Sequence, residues 1–321
     1  MKSHYPPNIS AAMELALDFG LGFGPFLAEC SKKVLLDRDD LVQGNEFDHL
    51  YETYKIPKKT GGSRLITAPK RKLKEFQRAI LDRVGNYWKL EDCVTGFRPG
   101  YGLVENAIPH TCRRIVVNVD IKGFFPNTRF DSIIGILKKL LKGRFSPRAI
   151  RLMASLCSHD RGLPTGAPSS PAIANQVLLS TDRSISTLAK MKGVNYSRYA
   201  DDLTFSGDNE ETLKMIPFVE RILKETGHVL DDKKTNIFRK GRRQCVTGLV
   251  VNERPNLARP LRRRIRAAVH HHQQGRPIHW HGKSMSLEQL MGRIGFLALT
   301  CPGEAQRYRN SLKKQEIQAP E

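Results

Sequence analysis

The stretch of sequence that decides the fold is Asn195-Tyr196-Ser197-Arg198-Tyr199-Ala200-Asp201-Asp202-Leu203-Thr204-Phe205-Ser206. Both flanks of the acidic pair are rich in residues that favour β-strands, and Gly207-Asp208-Asn209 ends the second flank. The pattern predicts a β-hairpin with Asp201 and Asp202 at its tip. Adjacent carboxylates repel each other, and a hard divalent cation such as Mg²⁺ relieves that repulsion because it prefers oxygen ligands. The alternative is a solvated acidic turn, since Asp is common in turns.

A third carboxylate follows another predicted strand. The run from Arg114 to Val119 is β-branched and nearly all apolar, which is typical of a buried strand, and Asp120 comes directly after it. Asp120 could instead cap the strand, but that leaves the two aromatics Phe124 and Phe125 unexplained. Three carboxylates on adjoining strands would form a two-metal site, in which one ion activates a hydroxyl and the other stabilises a leaving pyrophosphate. Such a site predicts a nucleotide substrate.

The charge of the chain indicates a polyanionic partner. Lys and Arg total 53 and Asp and Glu total 32, which gives a net charge of +21. The excess is uneven, because thirteen Lys or Arg residues and one acid, Glu253, lie between Lys233 and Arg276. A solvated basic face is the plainer interpretation, but so uneven a segment in a folded chain favours contact with phosphates. Charge alone does not distinguish RNA from DNA.

Length and composition indicate a cytoplasmic protein with a substantial core. With 321 residues, 40% of them hydrophobic, the chain can form one large or two to three smaller folding units. No apolar run is long enough to span a bilayer, and Glu14 and Asp18 interrupt the apolar N-terminal segment, so we expect no membrane span and no signal peptide. The six cysteines lack C-x-x-C spacing, which predicts buried free thiols in a reducing compartment and no zinc site.

Hydrophobic periodicity predicts strands and helices mixed without strict alternation, so the expected fold class is α+β with an appended helical part. Two strands are expected within residues 51–68, joined by a basic turn at residues 58–63. Helices are expected at residues 8 to 45 with breaks at glycines, at 72–88, at 130–141, from 171 towards 190, and from 260 onward.

Four motifs, in order along the chain, resemble those of reverse transcriptases, and the chain looks most like the retron type found in bacteria. The similar segments are 120–125 for the first palm motif, 162–171 for the motif near the templating nucleotide, 199–202 for the metal motif and 233–235 for the downstream lysine segment. Asn106-Ala107-Ile108-Pro109-His110 resembles a retron N-A-x-x-H element, and Val246-Thr247-Gly248 resembles a retron V-T-G element. The resemblance covers residues 51–252.

The resemblance implies a right-hand polymerase fold. Residues 1–48 would form an N-terminal helical extension, residues 49–250 the fingers and a palm with an antiparallel sheet and helices, and residues 251–321 a basic helical thumb. It also implies the activity of an RNA-directed DNA polymerase, a nucleotidyltransferase that uses dNTPs and two Mg²⁺ ions.

The resemblance also implies roles for the residues of the metal motif. Asp120 and Asp201 would bind both ions, and Asp202 would contribute less directly. The backbone carbonyl of Ile121 would complete the coordination of the ion on the nucleotide side. Lys234 is the candidate general acid for pyrophosphate, and its neighbour Lys233 is the alternative.

Five residues are expected to contact the incoming nucleotide. Lys58 and Arg64 would grip the triphosphate, because a guanidinium fork suits phosphate oxygens and a mobile ammonium adds charge. Phe125 would exclude a ribose 2′-hydroxyl, and one of the Phe124–Phe125 pair is expected in the core. Thr165 and Gly166 would line the pocket, where many relatives carry Gln in place of Thr165, so a contact to the nucleotide or template would be shortened or lost.

The resemblance further implies an RNA partner. Retron enzymes start DNA synthesis from the 2′-hydroxyl of a guanosine in their own structured non-coding RNA, of the msr-msd type, and produce branched msDNA. Asn106, His110 and the segment Val246-Thr247-Gly248 would help recognise or position that RNA. The basic residues of the predicted thumb helix would follow an RNA stem: Arg262, Arg263 and Arg266. A separate effector protein with an anti-phage role and a host ribonuclease H are the further partners implied.

Two other interpretations stay open. The chain could be a bacterial reverse transcriptase of another class, group II intron-like or diversity-generating. It could also be a catalytically idle scaffold that only binds RNA, but the three intact carboxylates Asp120, Asp201 and Asp202 argue against that function.

Overall fold

The computed structural model of the protein describes residues 7–33, 47–57, 61–85 and 88–318. The chain begins with helices α1 (Pro7–Phe19) and α2 (Gly24–Lys33), separated by Gly20 and a 3₁₀ turn. Gly20 has φ +110°, a backbone conformation that favours glycine, so the helix ends there. The described part of the predicted helix at residues 8 to 45 is therefore helical with a glycine break, and residues 34–46 lie outside the described ranges.

The first sheet is a single hairpin, which we name the fingers hairpin. Strands β1 (Tyr51–Pro57) and β2 (Ser63–Pro69) pair antiparallel along their whole length. Six of the seven residues of β1 are exposed, so the hairpin projects from the body of the protein. Helix α3 (Arg71–Val84) follows and buries Leu73, Phe76 and Ile80 in the core. The two strands predicted within residues 51–68 are thus confirmed. Helix α3 ends at Val84, four residues before the predicted end at residue 88.

A second sheet, which we name the palm sheet, lies at the centre of the molecule. Its antiparallel strands are β3 (Ile115–Asp120), β4 (Asn195–Tyr199), β5 (Asp202–Gly207) and β6 (Asn236–Arg239). Their order across the sheet is β4-β5-β3-β6. The predicted strand before Asp120 and the predicted hairpin around Asp201 are therefore neighbours in one sheet.

Helices cover the palm sheet and fill the chain between its strands. They are α4 (Leu103–Ala107), α5 (Phe124–Asn127), α6 (Phe130–Leu140), α7 (Pro147–Leu156), α8 (Ser170–Val177), α9 (Leu179–Met191) and α10 (Glu211–Glu225). The helix predicted at 130–141 is confirmed by α6. The single helix predicted from 171 towards 190 is wrong in one respect, because the backbone of Leu178 (φ −85°, ψ 2°) leaves the helical region and divides it into α8 and α9.

The two faces of the palm sheet bury different cores, because successive side chains of a strand point to opposite sides. Val117 and Val119 of β3 join the main core, together with Phe205 of β5. Val116 points to the other face and joins a second core formed mostly by residues after 245. Asp120 shares the face of Val116, so its carboxylate lies on the side of the second core.

The C-terminal part consists of two short hairpins and three helices. The elements are β7 (Cys245–Val246), β8 (Leu249–Val250), α11 (Arg259–Gln273), β9 (His279–Trp280), β10 (Lys283–Ser284), α12 (Leu287–Ala298) and α13 (Pro302–Gln318). The purely helical prediction from residue 260 onward is corrected by the β9–β10 hairpin. Its turn residues His281 and Gly282 both have positive φ, which matches the twist that two-residue hairpins need.

Two further expectations from the sequence concern the burial of the cysteines and the length of the apolar helices. All six cysteines are free, but only Cys30 and Cys157 are buried and Cys112 is exposed, so the expectation of uniformly buried thiols is wrong. Within the described ranges, none of the helices combines the length and the apolarity that crossing a bilayer requires.

Candidate active site

Two strands of the palm sheet bring three carboxylates together. Asp120 at the end of β3 is the cross-strand partner of Asp202 at the start of β5. Asp201 lies in the turn just before β5. One carboxylate oxygen from each of the three lies within 4.8 Å of the other two. The sheet thus joins residues that are 81 positions apart in sequence, since 201 − 120 = 81.

The turn that carries Asp201 has an unusual backbone held by close neighbours. Ala200 has φ +59°, in the left-handed region that a side chain with a Cβ seldom adopts. Gly96 lies so close that an added Cβ there would collide with the backbone nitrogen of Ala200. On the other side, the N–H of Ile121 donates to the carbonyl of Asp201 at 2.9 Å. Neighbouring backbone therefore defines the position of the acidic turn.

A lysine contacts the carboxylates directly. Lys234 lies in a 3₁₀ turn after α10, and its Nζ donates to Oδ1 of Asp120 at 2.6 Å. The same turn is held in place because the N–H of Asp231 donates to the carbonyl of Asp120 at 2.8 Å. Of the two adjacent lysines considered from the sequence, Lys234 rather than Lys233 makes this contact.

The carboxylates carry more negative charge than one lysine neutralises. Burial raises the pKa of Asp120, the hydrogen bond from Lys234 opposes that rise, and the charge of Asp201 adds to it. The pKa of Asp202 is raised to about 6, by burial of its carboxylate and then by the charges of Asp201 and Asp120, although the residue as a whole is exposed. Burial lowers the pKa of Lys234, but its hydrogen bond to Asp120 and the nearby negative charges raise it above the ordinary value.

The chemistry of this donor set fits a divalent cation. Its ligand atoms are carboxylate oxygens, which hard cations such as Mg²⁺ prefer. Burial, and after it the charge of Asp201, raises the pKa of both Asp120 and Asp202, and a bound cation would favour their ionised forms. The arrangement is suited to hold positive charge near a transferring phosphate.

The aromatic pair after Asp120 divides into a core residue and an accessible one. Helix α5 begins after Gly123, and Phe124 is buried in the main core. Phe125 is half-buried, with its ring centroid 5.0 Å from that of Phe124 and 6.2 Å from that of the exposed Phe97. The expectation that one ring of the pair is a core residue is confirmed for Phe124, which leaves Phe125 available to a ligand.

Thr165 contacts the fingers hairpin. The N–H of Thr67 donates to Oγ1 of Thr165 at 3.0 Å, and the N–H of Gly166 donates to the carbonyl of Thr67 at 2.8 Å. A Cβ on Gly166 would lie 2.9 Å from the Cβ of Ala68, so a glycine permits this approach. The Thr165 hydroxyl, predicted to face the nucleotide, is instead bonded to strand β2 in this conformation. The Thr165–Gly166 segment therefore joins the palm to the fingers hairpin.

Of the two remaining predicted nucleotide ligands, Arg64 lies on that hairpin. Arg64 is exposed on β2, across from Ile56 on β1. Lys58 lies outside the described residues. Because β2 is bonded to Thr165 and Gly166, the position of the Arg64 guanidinium depends on the same contact.

Asn106 and His110 are buried supports of the palm sheet. His110 is fully buried, and its two ring nitrogens lie 2.7 Å from Ser206 Oγ on β5 and 2.8 Å from Ser197 Oγ on β4. Asn106 is also fully buried and accepts a hydrogen bond from Thr95 at 2.7 Å. Neither side chain reaches the surface, so direct contact with RNA is excluded in this conformation, and a role in positioning the RNA stays a prediction. Any effect on RNA would pass through the strands that they hold.

The V-T-G element forms the turn of the β7–β8 hairpin. Val246 is fully buried in the second core and cannot touch a ligand in this conformation, which corrects that part of the prediction. Thr247 and Gly248 occupy the turn with φ +46° and +86°. A β-branched residue in the left-handed region is strained, and Thr247 is held there by a hairpin whose Cys245 carbonyl accepts from Asn118 of β3 at 2.8 Å.

The predicted basic residues of the C-terminal part lie on helix α11. Arg263 and Arg266 are exposed and line a shallow groove with His270 and Tyr308. Arg262 is half-buried and forms an ion pair of 2.6 Å with Glu304 of α13, so its charge is already matched within the protein. Arg263 and Arg266 are the residues of this set with charge free for an RNA.

Sequence reasoning missed a buried ion pair beneath the acidic turn. Arg198 of β4 and Asp182 of α9 are 1% exposed at their side chains and approach to 2.6 Å. The position of Arg198 in the sequence could have indicated its burial. It lies two residues after Tyr196 in the same strand and so shares the face of Tyr196, whose ring joins the main core. An Arg on the core face of a strand needs a partner, but the sequence did not identify which acid supplies it.

Comparison with known proteins identifies the family. The profile of the family described as "Reverse transcriptase (RNA-dependent DNA polymerase)" matches residues 56–282. The chain is 34% identical over 301 residues to the Retron Mx162 reverse transcriptase of Myxococcus xanthus, covering 84% of this chain and 61% of that protein. It is 31% identical over 254 residues to the Retron Ec86 reverse transcriptase of Escherichia coli, covering 78% of this chain and 76% of that protein.

Two further facts set the scope of these matches. The chain spans only 61% and 63% of the lengths of the two Myxococcus xanthus relatives that it matches. The solved structure of a telomerase from Candida albicans, in complex with a fragment of telomeric RNA, aligns with this chain with a TM-score of 0.50 and 11% identity. The alignment covers 82% of this chain and 56% of that one, and at this identity it shows the fold alone. The right-hand polymerase fold, the matched profile and the identity to relatives show that this chain belongs to the retron reverse transcriptases.

Proposed function

We propose that the chain is an RNA-directed DNA polymerase that synthesises DNA on a cognate RNA. The observation that carries this proposal is the meeting of Asp120, Asp201 and Asp202 within 4.8 Å, at the edge of the palm sheet and beside Lys234. A carboxylate cluster of this kind, in a chain that matches the reverse transcriptase family, supports nucleotidyl transfer. The finer assignments below rest on the residues that surround this cluster.

The side chains of the cluster would act as follows. Asp120 and Asp201 hold two Mg²⁺ ions with help from Asp202 and the carbonyl of Ile121. Bound Mg²⁺ supplies the positive charge that favours deprotonation of the primer hydroxyl and departure of pyrophosphate. Lys234, whose pKa is raised by Asp120, stays protonated at neutral pH and can donate a proton to the leaving pyrophosphate oxygen.

The nucleotide would enter between the fingers hairpin and the palm. Arg64 binds the triphosphate together with Lys58, which follows Pro57 in the sequence. Phe125 lies under the sugar, where its ring would collide with a ribose 2′-hydroxyl. Its neighbour Phe124 is anchored in the core and limits movement of Phe125 away from that hydroxyl.

A substitution tests the proposed sugar selection. Phe125→Ala removes the ring that would meet the 2′-hydroxyl, so ribonucleotide incorporation should rise by about 10-fold or more relative to deoxynucleotide incorporation. The measurement compares kcat/KM for dGTP and GTP. Exposed Phe97→Ala is the matched control, since it removes the adjacent ring. Unchanged rejection of GTP by Phe125→Ala would remove Phe125 from this role.

The RNA partner is proposed from family membership. We assign a structured non-coding RNA of the msr-msd type, with DNA synthesis primed from an internal guanosine 2′-hydroxyl to yield branched msDNA. Exposed Arg263 and Arg266 of α11 support contact with RNA phosphates. The strained Thr247-Gly248 turn is exposed at Gly248 and is a second place for such contact. We place this activity in the cytoplasm, with template RNA removed by a host ribonuclease H.

One experiment tests the activity and the retron chemistry together. The protein is purified from its native source, and the nucleic acid bound to it is sequenced. We expect DNA joined covalently to RNA at the 2′ position of one internal guanosine, and none in the Asp201→Asn variant. Linear cDNA without a branch would instead favour a group II intron-like or diversity-generating enzyme. Equal DNA from Asp201→Asn would favour a scaffold that only binds RNA.

An anti-phage role with a separate effector protein completes the proposal. Its support is membership of the retron family, in which the polymerase and its msDNA often act with an effector. Loss of phage protection in cells that carry Asp201→Asn, with the rest of the locus unchanged, is the expected outcome. Full protection by that variant would separate defence from DNA synthesis.

A further inference from the structure

Strands β4 and β5 of the palm sheet form a hairpin, which we name the palm hairpin, and a buried ion pair links it to α9. Arg198 of β4 donates from Nε and Nη2 to the two carboxylate oxygens of Asp182, at 2.8 and 2.6 Å. The hydroxyl of Tyr196 donates to the same carboxylate at 2.9 Å. This bidentate geometry fixes the orientation of the planar guanidinium.

The remaining terminal nitrogen of Arg198 faces the acidic turn. Its Nη1 donates to the carbonyl of Ala200 at 3.0 Å and to Oδ1 of Asn175 at 3.0 Å. Asn175 in turn donates to the carbonyl of Gly96 at 3.0 Å. Gly96 is the residue that packs against Ala200, so the two partners of Nη1 converge on the turn from different sides.

The same guanidinium lies near the other half of the site. Its Cζ is 6.0 Å from the ring centroid of Phe124, within the range of a cation–π contact. Phe124 precedes Phe125, the proposed sugar gate. Arg198 therefore contacts Ala200, which precedes Asp201, and lies near the ring of Phe124, which precedes Phe125.

Stability alone does not account for this arrangement. A buried ion pair gains little over a well-packed apolar pair, because removing two charges from water offsets their attraction. The geometry that Arg198 imposes is more specific. Ala200 has the left-handed φ of +59°, and its carbonyl would lose the Arg198 bond if the guanidinium moved. A strained backbone persists where its surroundings over-determine it.

We propose that Arg198, held by Asp182 and Asn175, is a positioning residue for the metal-binding turn. By fixing the carbonyl of Ala200, it sets the distance from Asp201 to Asp120 on which binding of a divalent cation depends. The effect on DNA synthesis rests on the proposed function. The effect on cation binding is independent of it and can be measured without substrates.

Two variants separate positioning from folding. Arg198→Lys keeps a charge for Asp182, but one ammonium cannot replace the fork that reaches Asp182 and Ala200 together. A triple variant, Arg198→Met with Asp182→Leu and Tyr196→Phe, removes both charges and leaves no orphaned hydroxyl, and apolar replacement of this kind is tolerated elsewhere. Gln77→Leu is the control. Gln77 is equally buried, and its amide donates to Tyr51 and Leu156.

The measurement is binding of Mn²⁺, which takes the same oxygen ligands as Mg²⁺ and is followed directly by its EPR signal. We expect the Mn²⁺ concentration at half-saturation to rise about 10- to 100-fold in both Arg198 variants, as when the supports of metal ligands are altered. Gln77→Leu should lower the Tm and leave half-saturation at the wild-type value. Asp201→Asn marks the loss of the site.

Three other outcomes overturn the inference, and a fourth contradicts the proposed function alone. Wild-type Mn²⁺ half-saturation in a folded Arg198 variant would show that the turn does not need the guanidinium. Failure of both Arg198 variants to fold, while Gln77→Leu folds, would make the ion pair a folding requirement instead. Equal Mn²⁺ binding by wild type and Asp201→Asn would remove the metal site itself. A wild type that binds Mn²⁺ and makes no DNA would contradict the proposed function and leave the positioning role intact.

Discussion

The palm hairpin and the fingers hairpin are both two-stranded antiparallel ribbons, yet their surroundings differ. In β4–β5, eight of eleven residues are buried; of the other three, Tyr199 and Asp202 lie beside the turn and Asn195 lies at the far end of β4. In β1–β2, two of fourteen residues are buried, and both lie at the ends nearest the body of the protein. The same local structure is thus enclosed in one place and exposed in the other.

The difference fits the tasks proposed for the two hairpins. Metal ligands must keep their positions within a narrow tolerance, and the buried strands that flank the palm turn, with the contacts of the turn to Gly96 and Ile121, provide that. A nucleotide must enter and leave, so a hairpin with few contacts to the rest of the protein can adjust. Hydrogen bonds of Thr67 with Thr165 and Gly166 connect the fingers hairpin to the segment that precedes α8.

The largest effect on the comparison of the two hairpins is expected at Asp201. Replacing Asp201 with Asn removes negative charge from the enclosed hairpin, so DNA synthesis should fall by about 1,000-fold or more, since a metal contributes several kcal/mol to the transition state. Single-turnover extension of a primer measures this. Asp208→Asn, at the exposed end of the same hairpin and paired with Arg113, should leave the rate unchanged. Substantial synthesis by Asp201→Asn would place the chemistry elsewhere.

The fingers hairpin should respond through substrate binding. Arg64→Ala removes a charged hydrogen bond to the triphosphate, so KM for dNTPs should rise by about 10-fold with a smaller change in kcat. Steady-state kinetics on a primed template measures the split. Arg71→Ala is the control, because Arg71 is equally exposed and pairs with Glu75. A loss confined to kcat would contradict the assignment of Arg64.

The contact of the fingers hairpin with Thr165, in the segment before α8, should give a smaller effect. Thr165→Val keeps the shape of the side chain and removes the acceptor for the N–H of Thr67, so KM for dNTPs should rise by about 2- to 10-fold. Thr165→Ser should restore the wild-type value, because it retains the hydroxyl. If Val and Ser behave alike, the hydroxyl does not set the position of the fingers hairpin.

A last prediction concerns stability of the palm hairpin against acid. Burial lowers the pKa of His110 to about 3, whereas the unfolded chain binds a proton near pH 6.5, so the folded state is penalised as pH falls below 6.5. The free energy of unfolding should fall by up to about 1.4 kcal/mol per pH unit from this source. Urea unfolding between pH 4.5 and 7 measures the slope, which should shrink in His110→Gln and persist in exposed His271→Gln. Equal slopes would contradict the burial of a neutral His110.

Much of the fold was predictable because its signals are local. β-branched runs indicated β3 and the hairpin around Asp201, and the spacing of apolar residues indicated α6. Glycines marked the break after α1, where Gly20 adopts a positive φ. Helix ends and the β9–β10 hairpin were missed because they depend on tertiary packing more than on residue preference. Val84 and Leu178, at two of those helix ends, lie in the main core, and Trp280 of β9 packs against the second core.

The candidate site divides in the same way. The carboxylates were identifiable because acids at the ends of strands are a local pattern. The buried position of His110 could not be identified, since its partners Ser197 and Ser206 are 87 and 96 residues away in the sequence. Arg198 was missed because its partner Asp182 lies on a helix whose position relative to β4 no local pattern reveals.

By itself, the sequence determined the types of elements, the acids that end two strands and the basic character of the C-terminal third, because propensity, turn chemistry and charge belong to neighbouring residues. Only the tertiary structure decided that Asp120 faces Asp202, that Lys234 rather than Lys233 meets Asp120, and which polar side chains are buried. Register and burial arise from contacts between residues far apart in the chain, so they exist only once the sheet and its two cores have assembled.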